Sequence, residues 1–503
     1  MNANEFLVAA LTSLDSYKLG HAPMYPYGCS RVYSNYTPRS LHHFHVADKY
    51  KADNTIVWFG AQSLMYEINK IFKETFFNRD ENEVINDFVD IVTPFVGPNG
   101  FDTTGIRKLH KLGYLPLKVK SLPEGSRVPI GVPVLTIVNT VDDFYWLTNF
   151  LETWISSELW KMSTSATTAA VYRKIIENYA DLTGGSKEFI DWQGHDFSVR
   201  GMSGILDAAK SGLGHLLSFL GTDNIPAVQY ARVVYRGKET FIGGSVPASE
   251  HSVMAAGTKE NELETYRRML KMYPSGVISL VSDTYDFFNV ITNYARILKE
   301  EILNRTPDSI GLAKTVFRPD SGDPVDIICG DPEAPVGSNE YKGAVECLYD
   351  LFGGTLNAKG YLTLNQRVGL IYGDSITPER CEAILARLMA KGFASDNIVF
   401  GIGSFTYQYV TRDTLGSAMK ATYVVINGEG VEIFKDPVTD NGTKKSAKGL
   451  LRVDQVDGRY VLRDQVTPEE EEGGCLEVMY LDGNVLSNVS LAEMRQRLAS
   501  YKV

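Results

Sequence analysis

The chain has 503 residues, enough to bury a large core and to form two or more domains or one elaborated barrel. Hydrophobic residues make up 44% and charged residues 22%, and no apolar run approaches the roughly 18 residues of a membrane-spanning helix. A formal charge of −11 argues against a nucleic-acid surface, which draws on clustered Lys and Arg, but it permits a small anionic ligand in a locally basic pocket.

The N-terminal stretch MNANEFLVAALTSLDSYK has an apolar patch without a basic leader or cleavage site, so a cytoplasmic protein is expected. HHFH at His42 to His45 reads as an exposed loop, since no matching ligand cluster accompanies it. NTIVWFGAQSLMYEINKIFKETFF, LPLKVKSLP and VPVLTIVNT then mix helical and strand-like runs, as an α+β region does. From about residue 190 the pattern changes. FIDWQGHDFSVRG, GVISLVSD, KTVFRPDSG, VGLIYGD and NIVFGIGS are short apolar runs ending in polar or glycine turns and followed by helical periodicity. That alternation predicts a parallel α/β sheet or barrel. In SITPERCEAILARLMAKG, Thr377 suits a cap, Pro378 a first turn and Gly392 an exit, with Cys381, Ile384, Leu385, Leu388 and Met389 on one face.

Such folds gather polar residues at the carboxyl ends of their strands. The expected rim holds His195, Asp196, Arg200, Asp283, Arg318, Asp320, Asp374 and the Gly401 to Ser404 turn, a mixture of Arg and Asp that suits a phosphorylated sugar. RPDSGDP serves equally as a structural Asp turn, and the Gly401 to Ser404 turn, read as leading into a helix containing Arg412, serves as a phosphate cradle or a plain connection. His251, in SVPASEHSVM, either opens a helix as a simple polar residue or is a reactive centre. Near the C-terminus, TYVVINGEGVEIFKDP reads as a hairpin turning at Asn427, Gly428 and Glu429, TPEEEEGG as a solvated acidic loop, and SLAEMRQRLASYK as a helix with a capping box from Ser490 to Glu493. Five cysteines without Cys-x-x-Cys spacing are expected to be reduced and structural. Walker A, G-x-G-x-x-G and H-E-x-x-H patterns are missing.

DSYKLGH, YWLTNFLET, HDFSVRG, FLGTDNIPA, SVPASEHS, VSDTYDFFN, FRPDSGDP, IYGDS, FGIGS, VTRD, MKATYVV and FKDPVTD occur in this order along nearly the whole chain. The set resembles the nicotinamide phosphoribosyltransferase family, one of the type II phosphoribosyltransferases and similar to nicotinate phosphoribosyltransferase. The resemblance implies an irregular, incomplete TIM-like α/β barrel (181–415) packed with an α+β domain (1–180), with residues 416–503 closing on the latter. It also implies transfer of a phosphoribosyl group from 5-phosphoribosyl 1-pyrophosphate to nicotinamide, with Mg2+, ATP hydrolysis coupled through a phosphohistidine, and a homodimer with shared sites.

By the same resemblance, Phe197 and the partner subunit's Tyr17 sandwich the nicotinamide ring, Asp223 accepts from its carboxamide, Arg318 meets its carbonyl, and Ser279 lines the site. Asp320, Gly373 and Asp374 hold ribose, and Arg200 and Arg318 lie near pyrophosphate. Arg39, Arg412 and Lys420, with Gly403 and Ser404, meet phosphate, and Lys435 and Lys444 meet ATP. His251 is the phosphorylated residue, oriented by Asp283. Ser404 departs from the family, where a second glycine is usual. The nearest rival substrate is nicotinate, which a carboxylate at Asp223 should repel.

Overall fold

In a computed structural model, residues 8–237, 241–373, 375–437, 439 and 446–501 are described. Asp374 and Lys444 lie outside them. The chain divides into two compact units, one made of residues 1–167, 230–239 and 410–503 and the other of residues 168–229 and 240–409.

The first unit is built on a seven-stranded antiparallel sheet, ordered Glu429–Glu432, Ala418–Ile426, Cys29–Thr37, Leu135–Asn139, Leu117–Ser121, Glu477–Leu481 and Asn484–Val485. Strand Cys29–Thr37, third in that order, is buried continuously from Val32 to Tyr36, because both of its faces are covered. The expected hairpin forms, with a tighter turn. Asn427 and Gly428 both take positive φ, 52° and 82°, while Glu429 already pairs with Ile426, which gives the two-residue loop that Asn-Gly favours.

Helix Ala61–Phe72 lacks a capping side chain in sequence. Instead the buried Glu124 carboxylate accepts from the backbone N–H groups of Gly60, Ala61 and Gln62 and from the Tyr235 hydroxyl, satisfying donors a helix start leaves open. Burial pushes the Glu124 carboxyl up, against those hydrogen bonds. The acidic stretch TPEEEEGG is not a uniformly solvated loop. Thr467 caps helix Pro468–Glu471 in a capping box, and Glu471 turns inward to pair with the buried Lys120 at 2.8 Å. The expected Ser490 to Glu493 capping box opens helix Leu491–Ser500.

The second unit carries a six-stranded parallel sheet, ordered Gly221–Thr222, Gly194–Asp196, Val399–Ile402, Val368–Tyr372, Ala313–Arg318 and Gly276–Val281. Single bridges Gly221↔Gly244 and Ala248↔Ser279 tie both edge strands to one short segment, so the sheet curls on itself. That segment, from Gly244 to Ala248, leads into and overlaps SVPASEHS. Helix Pro378–Ala390 follows its strand as expected: Thr377 accepts from the Arg380 N–H, and Cys381, Ile384, Leu385 and Leu388 are buried, with Met389 only partly so. Gly392 makes the exit with φ +81°.

Candidate active site

Parallel strands deliver their last residues to one end of the sheet, so the residues following each strand of the second unit are neighbours although far apart in sequence. Phe197 follows Gly194–Asp196, Asp223 follows Gly221–Thr222, Asp283 follows Gly276–Val281, Asp320 follows Ala313–Arg318, and Gly373 follows Val368–Tyr372.

One group forms around an aromatic ring. The Phe197 ring centroid lies 4.6 Å from that of His195, and the Arg318 guanidinium stands 5.8 Å from the Phe197 centroid. His195 Nε2 is 2.8 Å from Asp223 Oδ1, which also accepts from the Ser245 hydroxyl. Burial alone would raise the Asp223 carboxyl. The hydrogen bonds from His195 and Ser245 and the Arg318 charge hold it below its ordinary value, so an ionised carboxylate is presented beside a flat apolar surface. Arg318 donates to the Ser249 carbonyl at 2.9 Å and is 3.5 Å from Asp320. Ser279 is buried, and its hydroxyl has no hydrogen-bond partner among the described residues.

A second group centres on His251, the first residue of the short helix His251–Ala256. Its Nε2 lies 3.0 Å from Oδ1 of Asp283, with the imidazole about half exposed and the carboxylate 4% exposed. The other Asp283 oxygen accepts from the Asp320 N–H at 2.9 Å and the Ser321 hydroxyl at 2.6 Å. Burial opposes ionisation of Asp283, but Ser321, Asp320 and His251 together hold its carboxyl below the usual value. A carboxylate only accepts, so Nε2 carries a proton, and in the neutral ring the lone pair is on Nδ1.

Two glycines keep this end open. A Cβ on Gly373 would lie 2.0 Å from Asp320 Oδ1, and one on Gly401 would lie 2.6 Å from the Tyr372 carbonyl and 2.9 Å from the Phe197 ring. Gly403 precedes helix Ser404–Gln408, and Ser404 occupies the space left by Gly201, whose Cβ would meet the serine hydroxyl at 2.1 Å. Arg200, in the turn Val199–Gly201, is exposed.

The remaining candidates belong to the first unit. Arg412 is not on the helix after Gly403; it opens a separate 3-10 turn, Arg412–Leu415, because Thr411 caps a fresh start. Arg39 donates to the Gly416 carbonyl at 3.0 Å, which brings it beside that turn. Lys420, opposite Asn35 in the sheet, is held below its ordinary value by burial and by the charges of Arg39, Lys435 and Arg412, against the pull of Glu152. Cations crowded this way are suited to an anion. Lys435 is exposed and pairs through its backbone with Ser446. Tyr17 sits in the turn Ser16–Gly20, 61% exposed.

Sequence reading missed Ser245 and Ser321. Each lies inside a quoted motif, SVPASEHS and RPDSGDP, but nothing local distinguishes its hydroxyl from a turn serine. No group of three or more His, Cys, Asp or Glu able to enclose a metal ion occurs among the described residues, and no helix among them is long and apolar enough to cross a membrane.

Arg, Asp and His side chains gathered with one aromatic ring at the carboxyl ends of a parallel sheet define an α/β enzyme acting on a small, partly anionic substrate. Residues 192–470 match the nicotinate phosphoribosyltransferase (NAPRTase) family. A nicotinamide phosphoribosyltransferase of Acinetobacter baylyi is 52% identical, covering 98% of this chain and 98% of its own. One of Xanthomonas campestris pv. campestris is 32% identical, covering 97% and 98%. The solved human nicotinic acid phosphoribosyltransferase has the same fold, with a TM-score of 0.54 at 16% identity over 97% of this chain and 93% of its own. The chain belongs to the nicotinate phosphoribosyltransferase family.

Proposed function

We propose that the protein transfers the phosphoribosyl group of 5-phosphoribosyl 1-pyrophosphate to nicotinamide, giving nicotinamide mononucleotide and pyrophosphate in cytoplasmic NAD salvage. The observation that carries this reading is the Asp223 carboxylate, kept ionised by His195 and Ser245 beside the Phe197 ring. A carboxamide N–H donates to such a group, whereas the carboxylate of nicotinate is repelled by it. The curated relatives' names point the same way. The scaffold is then an incomplete TIM-like barrel, closed on one side by segment 244–248.

In the transfer, the bond from the anomeric carbon to pyrophosphate breaks with its electron pair leaving on pyrophosphate, and the pyridine nitrogen forms the new bond to carbon. Positive character develops on the sugar and negative charge on the leaving group. Phe197 and the partner's Tyr17 hold the base, Asp320, Gly373 and Asp374 hold ribose with Ser279 nearby, and Arg200 and Arg318 meet pyrophosphate. Arg39, Arg412 and Lys420 bind the 5-phosphate across the interface of a homodimer with shared sites, meeting it together with Gly403 and Ser404 of the other subunit. Mg2+ fits this donor set if pyrophosphate and water give it most of its oxygens, with Asp320 as one carboxylate ligand; when bound it neutralises charge on the leaving group.

His251 takes the γ-phosphoryl group of ATP at Nδ1 as the bond from that phosphorus to the bridging oxygen breaks and ADP leaves, with Asp283 holding the Nε2 proton, and Lys435 and Lys444 meet the ATP phosphates. Hydrolysis of that phosphohistidine drives the transfer toward product. The test is product formation from nicotinamide and from nicotinate, each with and without ATP. Preference for nicotinamide and stimulation by ATP are expected, and preference for nicotinate would overturn the substrate assignment.

A further inference from the structure

Asp196 and Asn224 are both fully buried, and neither has a role in the chemistry above. Each immediately precedes or follows a residue that does. Asp196 ends strand Gly194–Asp196 just before Phe197, and Asn224 comes directly after Asp223. Asn224 Nδ2 donates to Asp196 Oδ2 at 3.0 Å and to the Ala208 carbonyl at 2.8 Å, while its Oδ1 accepts from the Ala227 N–H at 3.0 Å. The other Asp196 oxygen accepts from the Ser198 N–H at 2.9 Å, and the Asp196 carbonyl accepts from the Asp223 N–H at 3.0 Å. The fit is close: a Cβ on Gly212 would lie 2.3 Å from Asn224 Nδ2.

A carboxylate with no exposed surface and no ion-pair partner among the described residues is an expensive way to fill a core, since apolar side chains of the same volume serve stability as well or better. What the polar pair adds is direction. The Asn224 to Asp196 side-chain hydrogen bond, beside the one from the Asp223 N–H to the Asp196 carbonyl, fixes one strand end relative to the other, and the two ends carry the ring and the carboxylate of the base pocket. We propose that Asp196 and Asn224 are positioning residues that set the separation of Phe197 from Asp223 and thereby the affinity and selectivity for the pyridine base. This rests on the assignment of that pocket to the base.

The test is steady-state kinetics of Asn224→Ala, with Asp196→Asn as a shape-conserving second variant. Asn224→Ala removes the three buried hydrogen bonds of that side chain, the one to Asp196 among them, and loss of the link to Asp196 is expected to raise KM for nicotinamide about tenfold, to narrow the preference over nicotinate, and to leave KM for 5-phosphoribosyl 1-pyrophosphate unchanged. A merely structural role would lower Tm and the yield of active enzyme with both KM values unmoved, and that result overturns the proposal. Asp223→Asn and Phe197→Ala separate the two claims. If they too leave KM for the base unchanged, the pocket assignment has failed; if they raise it and Asn224→Ala does not, only the positioning role has.

Discussion

His251 and Gly373 show how single atoms divide the work at the strand ends. Because Asp283 accepts from His251 Nε2, Nδ1 of the neutral, half-exposed ring is the nitrogen with a lone pair to offer, as a phosphoryl acceptor requires. Arg318 and Asp320 do not depend on that ring for their place. His251→Ala is therefore expected to abolish stimulation by ATP while retaining a measurable ATP-independent transfer, read by following ATP hydrolysis and nicotinamide mononucleotide together; full stimulation in the variant sinks the assignment. Gly373 acts by absence. A methyl group there meets the end of the Asp320 side chain, which can swing away without disturbing the backbone, so Gly373→Ala should fold with nearly unchanged Tm. The displaced carboxylate should lower kcat/KM by about 10²-fold, and an unchanged value would show that Asp320 does not hold substrate.

Whole elements were legible in the sequence where their signal is local. The runs containing Gly194–Asp196, Gly276–Val281, Ala313–Arg318, Val368–Tyr372 and Val399–Ile402 stand out because an apolar stretch meets a polar turn within a few residues, and the polar candidates Asp283 and Asp320 follow from that alone, whereas Phe197 came from the family resemblance. Strand Gly221–Thr222 did not, since two residues carry no period. Nor did His195 and Ser245 as partners of Asp223, or Ser321 as a partner of Asp283, since those hydrogen bonds join separate segments; the pairing of Asp283 with His251 came from the family resemblance, and the two stand 3.0 Å apart. Glu471 is the clearest failure: four consecutive glutamates look solvated, and nothing nearby reveals that Lys120, 351 positions earlier, is buried opposite one of them. Removing a single partner strands a buried charge, which costs about 3–5 kcal/mol. Glu471→Ala should fall near the low end of that range, because Glu472 stays 3.1 Å from Lys120. Urea unfolding measures it, and a loss under about 1 kcal/mol would mean that Glu472 alone satisfies the lysine.

At the scale of the whole molecule, Tyr17 presents its ring at the surface, 61% exposed. Met24 and Tyr27, close by in sequence, are 74% and 97% exposed, and exposed apolar side chains grouped in this way mark surfaces that meet another protein. A second copy of the chain is the occupant proposed above, with its Tyr17 and Arg39 completing the site. Shared sites have a consequence that sites confined to one chain lack. In a dimer pairing a Tyr17→Ala subunit with an Asp320→Asn subunit, one site collects both defects and the other collects neither. Random pairing of equal amounts makes half of the dimers mixed, each with one intact site of two, so co-expression should restore about one quarter of wild-type activity from two nearly inactive parents. If Tyr17 serves its own chain, every site in the mixture keeps one defect, and activity stays at the mean of the parents.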